Sequence, residues 1–117
     1  MAAKKALVPP SDLINTVDAY VLACFEQESQ PQVTELALSL GITRWKLSRQ
    51  FQRRTGTSLR AHLKRRRLEQ AEELLEKTTL PVAEVARRSG FGTDRSLERA
   101  FYRATGNTPA SLRHKSK

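Results

Sequence analysis

Residues 33–56 read VTELALSLGITRWKLSRQFQRRTG, and residues 82–106 read VAEVARRSGFGTDRSLERAFYRATG. Laid on one another they are an internal repeat. Residues 33–41 match residues 82–90 at an offset of 49, and from Thr43 onward the offset is 50. Thr43 then meets Thr93, Leu47 meets Leu97, Arg49 meets Arg99 and Phe51 meets Phe101. Arg53 meets Arg103, Thr55-Gly56 meets Thr105-Gly106, and Ser58 meets Thr108. The slip of one residue falls in the turn, GI before Thr43 against GFG before Thr93, where an insertion disturbs least.

Each copy has the periodicity of two short helices. Val33, Leu36, Ala37 and Leu40 share one helical face that stops at Gly41, a residue suited to a left-handed cap. Thr43 is an N-cap, and Leu47 and Phe51 follow one turn apart, up to Gly56. In the second copy Pro81 opens a helix with Val82, Val85 and Ala86, closed by Gly90. Thr93 caps the next, which carries Leu97, Ala100 and Phe101 and ends at Gly106. A helix, a tight turn containing glycine and a second helix form the helix-turn-helix pattern, whose second helix enters a DNA major groove. The plainer alternative is a structural αα-hairpin.

The remaining segments are helical as well. Ser11-Asp12 opens a helix with Leu13, Ile14, Val17, Tyr20, Val21, Cys24 and Phe25 on one stripe. A longer helix runs from about Ser58 to Lys77, with Leu59, Leu63, Leu68, Ala71, Leu74 and Leu75 inside. Thr108-Pro109 begins a last turn through Leu112. The expected fold is all-α and homeodomain-like, with about seven helices. Residues 1–10 are a flexible arm and 11–57 an N-terminal helix-turn-helix subdomain. Residues 58–78 form a linker helix, 79–113 a C-terminal helix-turn-helix subdomain and 114–117 a mobile basic tail.

Composition agrees. Hydrophobic content is 38% and aromatic content 6%, which suits a core of Leu, Val, Ala and Ile between helices better than a sheet. One cysteine allows no intrachain disulfide and fits a reducing cytoplasm, and Cys24 reads as a buried core thiol. No apolar run approaches the ~20 residues that span a bilayer, and the first ten residues lack a signal-peptide core. The net charge is +9 and the signs are segregated. Between Ala6 and Thr43 lie Asp12, Asp18, Glu26, Glu28 and Glu35 with no Lys or Arg. Between Glu35 and Glu69 lie Arg44, Lys46, Arg49, Arg53, Arg54, Arg60, Lys64, Arg65, Arg66 and Arg67 with no acid. A one-signed stretch, mostly Arg, points to a polyanion rather than a membrane, because 60–67 lack the bulky Trp or Phe of an interfacial helix.

The outward faces carry the chemistry. With Leu47 at 0°, Phe51 falls at about 40° and Arg54 at about 340°, while Trp45 falls at about 160° beside Ser48 and Arg49. The outward set of copy one is Arg44, Trp45, Ser48, Arg49 and Gln52. That of copy two is Asp94, Arg95, Glu98, Arg99 and Tyr102. Arg can bond guanine O6 and N7, Ser is less selective, and Asp or Glu can accept from cytosine N4. The ring of Trp45 can pack on a thymine methyl or a sugar; the alternative is packing on a neighbouring helix. The expected base-contacting residues are Arg44, Trp45, Ser48, Arg49, Asp94, Arg95, Glu98 and Arg99. The expected phosphate contacts are Thr43, Lys46, Gln52, Arg53, Lys64, Thr93, Ser96 and Arg103. A linker of about 20 residues is about 30 Å long, close to the ~34 Å turn of B-DNA. One chain could therefore reach two adjacent grooves without dimerising, on an asymmetric site of about two turns that bends if the fit is imperfect.

The stretch from Gly56 to Arg113 resembles the DNA-binding region of the AraC/XylS family of bacterial transcription regulators, and the likeness covers about residues 32–113. Arg67-Leu68 with Ala71 and Leu74-Leu75 carry it, as do Val85-Ala86 with Gly90-Phe91. Arg99 with Phe101, and Gly106 with Pro109 and Arg113, complete it. The resemblance implies two helix-turn-helix subdomains on a long helix, promoter binding, and activation through contact with RNA polymerase. The chain has no room for a small-molecule ligand domain, so it is similar to the short stand-alone activators, which bind as monomers; an excised C-terminal fragment is the alternative. By position Trp45, Ser48 and Arg49, then Arg95 and Arg99, match base-contacting residues of those activators. His62 and Leu112 stand where the family often has Tyr. Asp94 and Glu98 add negative charge, so the second face binds weakly, tolerates varied sequence, or reads cytosine.

No cofactor is expected and no enzyme. Cys24, His62 and His114 are too scattered for a metal site, and no phosphate loop or nucleophile motif occurs. Glu72, Glu73 and Glu76 read as a solvated helix end or a surface for a protein partner. Arg65 to Arg67 divide between phosphate contact and packing, with Arg67 on the structural side. The rival functions are a protein-interaction adaptor and a nonspecific architectural DNA-binding protein on the same fold.

Overall fold

The computed structural model describes residues 12–115, with side chains described as far as Arg113. The expected arm at 1–10, the opening cap at Ser11 and residues 116–117 of the tail lie outside the described residues. Among the described residues the chain is all-α, with seven helices and no strand: α1 Leu13–Glu26, α2 Val33–Leu40, α3 Arg44–Thr55, α4 Leu59–Lys77, α5 Val82–Arg88, α6 Asp94–Thr105 and α7 Pro109–Lys115. The described residues divide into two compact units, 12–23 with 31–64 and 24–30 with 65–115, and the division falls inside α1 and α4.

In the first unit α2 packs on α3. Leu13, Val17 and Val21 of α1, Leu36, Ala37 and Leu40 of α2, Leu47 and Phe51 of α3, and Leu59 and Leu63 of α4 are all buried. Ile14, expected on the inner stripe, is 42% exposed. With Leu13 at 0°, Val17 falls at about 40° and Val21 at about 80°, so Ile14, at about 100° and in the first turn of α1, stands at one edge of the stripe near the helix end. Tyr20 is half-buried and ties α1 to α2: its hydroxyl donates to Glu35 Oε1 at 2.6 Å and accepts from the Gln32 amide at 2.9 Å.

In the second unit α6 packs on α5 and α7. Ala71, Leu75, Val85, Ala86, Leu97 and Phe101 form the core, with Leu68, Leu74, Leu80, Val82, Phe91 and Leu112 packed against it. Ser89 is fully buried and donates to the Val85 carbonyl at 2.7 Å, so its hydroxyl is satisfied inside the helix end.

The repeat extends to individual hydrogen bonds. The Gly41 amide donates to Leu38 O and that of Ile42 to Ala37 O; the Gly90 amide donates to Arg87 O and that of Phe91 to Ala86 O. Gly41 has φ 72° and Gly90 φ 84°. The residue inserted into the second copy is Gly92, also at φ 84°, and its amide too points at Ala86 O. A Cβ there would meet nothing within 4 Å, so backbone conformation and not space calls for glycine. Downstream, Thr55 Oγ1 donates to Phe51 O and accepts from the Thr57 amide, as Thr105 Oγ1 does with Phe101 O and the Asn107 amide. Ser58 and Thr108 then cap α4 and α7 by accepting from the Ala61 and Ser111 amides, each at 3.1 Å.

The last helix is longer than the single turn expected. It continues to Lys115, so the first two residues of the expected mobile tail are helical. Arg113, on α7, donates from Nε to Leu75 O at 3.1 Å and from Nη1 to Leu80 O at 2.6 Å. Leu75 lies in the last turn of α4, whose carbonyls lack helical partners, and Leu80 lies in the loop that follows. One guanidinium therefore fastens a helix end and a loop. We predict that Arg113→Ala lowers stability by about 1.5–3 kcal/mol, the range for hydrogen bonds to charged groups, and that Arg113→Lys restores only part of it. Urea unfolding of the three proteins measures this; a loss under about 0.5 kcal/mol in the alanine variant removes the assigned role.

Candidate nucleic-acid interface

The face of α3 is set by what it buries. Leu47 and Phe51 are 0% exposed, one turn apart, and fix the rotation of the helix. Thr43 fixes its start: the residue is extended, and its Oγ1 accepts from the Lys46 amide at 3.0 Å. Arg44, Trp45, Lys46, Arg49, Gln52 and Arg53 are consequently exposed, and Ser48 is half-buried. Trp45 is 66% exposed, so it does not pack into the core of its unit. The Arg49 guanidinium lies over its ring, Cζ 5.0 Å from the centroid. Such a stack contributes about 0.5–1 kcal/mol at an exposed site and holds both side chains in one arrangement. The N–H donors at the edge of the guanidinium plane stay available.

Not every expected contact is equally free. The Gln52 side chain donates to Gly56 O at 3.1 Å, at the C-terminus of α3. Lys64 is half-buried on α4, not on the helix that carries the other residues of its group. Arg54, placed inward by its angle, is exposed, and with Leu13, Gln50 and Arg53 it lines a shallow surface groove. A long cationic side chain at a helix end can reach the surface whatever its Cβ direction.

The second face follows the same rules. Leu97 and Phe101 are buried, and Thr93 caps α6 by accepting from the Ser96 amide at 3.2 Å while donating to Ser96 Oγ at 3.1 Å. Asp94, Arg95, Glu98, Arg99, Tyr102 and Arg103 are exposed. Asp94 Oδ1 accepts from the Arg95 amide at 2.9 Å, where the helix N-terminus favours an acid. The charges of the two helices differ. Helix α3 holds Arg44, Lys46, Arg49, Arg53 and Arg54 and no acid, whereas α6 sets Asp94 and Glu98 against Arg95, Arg99 and Arg103.

Several other cations have structural employment. Arg67 lies 4.8 Å over the Phe91 ring, and burial pulls its pKa below the ordinary guanidinium value although it remains a cation. Arg65 and Arg66 approach Glu69 at 3.9 and 3.6 Å. Glu84 holds both Arg87 and Arg88, the latter by Nε at 2.9 Å. His62 is buried against Phe51, ring centroids 5.0 Å apart, and its Nε2 is 3.3 Å from Asp18 Oδ1. It is part of the core. Among the described residues no group of three His, Cys, Asp or Glu side chains is placed to hold a metal, and no helix is long and apolar enough to cross a membrane.

A family model described as a helix-turn-helix domain matches residues 36–115. The HTH-type transcriptional activator RhaR of Enterobacter sp. (strain 638) is 38% identical over 71 residues, which is 61% of this chain and 25% of RhaR. Regulatory protein SoxS of Escherichia coli (strain K12) is 29% identical over 105 residues, 89% of this chain and 92% of SoxS. The chain thus spans a quarter of the length of the first and nearly all of the second. The DNA-binding domain of AdpA, a global transcriptional factor solved in complex with a target DNA, superposes with a TM-score of 0.73 at 32% identity, over 85% of this chain and 90% of that one.

Because Trp45 is the only tryptophan, its emission reports this face alone. We predict emission at the wavelength of a solvent-exposed indole with ready quenching by acrylamide, and greater quenching in Arg49→Ala, which uncovers one face of the ring. A blue-shifted, poorly quenched spectrum contradicts the exposed stack.

Proposed function

The chain belongs to the AraC-type helix-turn-helix family of transcription regulators, and from that premise we propose that it is a sequence-specific activator that binds double-stranded DNA as a monomer. The observation that carries the reading is the Trp45–Arg49 stack on a helix whose outward face is otherwise cationic and whose inward face is pinned by Leu47 and Phe51. In this reading α3 and α6 occupy adjacent major grooves. Arg44, Trp45, Ser48 and Arg49 meet base edges in one half of the site, and Asp94, Arg95, Glu98 and Arg99 in the other. Thr43, Lys46, Gln52, Arg53 and Lys64, then Thr93, Ser96 and Arg103, face phosphates. Two unlike faces call for an asymmetric site rather than a palindrome. Phosphate contacts supply most of the affinity, and base contacts the choice of sequence.

Activation proceeds through contact with RNA polymerase at the promoter, in a bacterial cytoplasm where the protein is held on the nucleoid by its DNA. RhaR is named an activator and AdpA is described with a target DNA, and both descriptions support this reading.

Gel shifts on a selected promoter fragment against nonspecific competitor, at two salt concentrations, test it. Trp45→Ala and Arg49→Ala each cost about 1–3 kcal/mol on the preferred site and relax preference locally. Arg53→Ala weakens every sequence alike and reduces the salt slope by about 1. Binding without sequence preference indicates an architectural protein, and no binding at all indicates a protein-interaction adaptor.

A further inference from the structure

Glu98 has no partner on its own helix. It is exposed in the middle of α6, past the first turn where a helix N-terminus stabilises acids. Its neighbours one turn back are Asp94, a like charge at i−4, and Arg95 at i−3, with which it forms no ion pair; one turn ahead is Tyr102, with no cation at i+4 to receive it. Among the described residues its carboxylate has no hydrogen bond and no ion pair. Glu84 is held by Arg87 and Arg88, Glu73 by Lys77 and Asp94 by the Arg95 amide, whereas Glu72 and Glu76, which also lack an ion pair among the described residues, stand on α4, away from the outward face of α6. Arg95 and Arg99 flank Glu98 on the outward face, and neither bonds to it.

A free carboxylate on a face that meets DNA is a strong constraint. It only accepts hydrogen bonds, whereas phosphates, guanine O6 and N7, and thymine O4 are acceptors as well. Set against any of these, it repels. Two base edges in the major groove offer donors, the N4 amino group of cytosine and the N6 amino group of adenine. Adenine also presents N7, an acceptor beside its donor, which would confront the second carboxylate oxygen. Cytosine presents no acceptor there. Its partner guanine presents O6 and N7, the pair that an arginine fork fits. Glu98 with Arg95 or Arg99 therefore forms an acceptor next to a donor fork, which complements one C·G base pair.

We propose that Glu98 is a specificity-determining residue that demands cytosine at one position of the half-site read by α6. This rests on the DNA-binding reading above. The residue at the equivalent place in α3 is Ser48, which donates and accepts and makes no such demand. The two half-sites thus differ in kind: the α3 half is held by cations and is permissive at this register, and the α6 half is selective because of one unpaired negative charge.

Selection from a random duplex pool, run with the full chain, tests this with three proteins. Wild type retains cytosine at one position, favoured about tenfold over each other base in competition with single-pair variants. Glu98→Gln, which both donates and accepts, moves that preference to adenine. Glu98→Ser, which installs the α3 residue, reduces the preference to about threefold or less and tightens binding to unrelated sequence, because a repulsive charge has gone. The inference is overturned if wild type selects a site but all three proteins return the same profile, or if no position in the wild-type profile requires cytosine. If wild type enriches nothing from the pool, sequence-specific binding itself falls, and this inference with it.

Discussion

Everything outward in this protein is positioned by a pair of inward residues one turn apart. Leu47 with Phe51, and Leu97 with Phe101, are buried to 2% exposure or less. Two large apolar side chains at i and i+4 lock a helix against rotation more firmly than any surface contact, since turning either into water costs about 1.5–3 kcal/mol. Once that axis is fixed, residues at −2 and +2 relative to the leucine point away from the core by geometry alone. The capping threonines fix the remaining freedom, the point at which each helix starts. The direction of Trp45, Arg49, Arg95 and Arg99 thus follows from hydrophobic burial, and no polar interaction is needed to aim them.

Most of this was legible in the chain. The repeat, the caps at Thr43 and Thr93, the left-handed glycines and the buried Leu and Phe pairs are local signals with local causes. What could not be read depends on residues far apart in sequence. His62 against Asp18 and Phe51, and Arg113 reaching Leu75 and Leu80, join segments more than ten residues apart, and no periodicity encodes such contacts. Arg54 and Ile14 show the weakness of wheel geometry at element ends, where a side chain is free to turn to solvent or lies at the margin of a stripe. The candidate site was more legible than the core's polar details, because exposure opposite a buried stripe is what a helical period reports directly. Its chemistry was less so: that Gln52 spends its amide on Gly56 is invisible in the sequence.

The arginines illustrate how little a charge count says about use. Arg67 and Arg49 both lie on aromatic rings, at 4.8 and 5.0 Å. One is half-buried and belongs to the packing of its unit, while the other stands on a largely exposed ring. The difference lies in the ring and not in the cation, since Phe91 packs against the second core and Trp45 is exposed.

Phe91 hangs between two left-handed glycines, Gly90 and Gly92. The extra glycine gives this turn a backbone latitude that its counterpart after Gly41 lacks, and the aromatic ring it presents covers the half-buried guanidinium of Arg67 on α4. The shape of a surface bend and the shelter of that cation are therefore linked. A side chain at Gly92 that drags the bend out of its left-handed well would draw the ring away from Arg67, so a change at an exposed corner would be felt on the long helix.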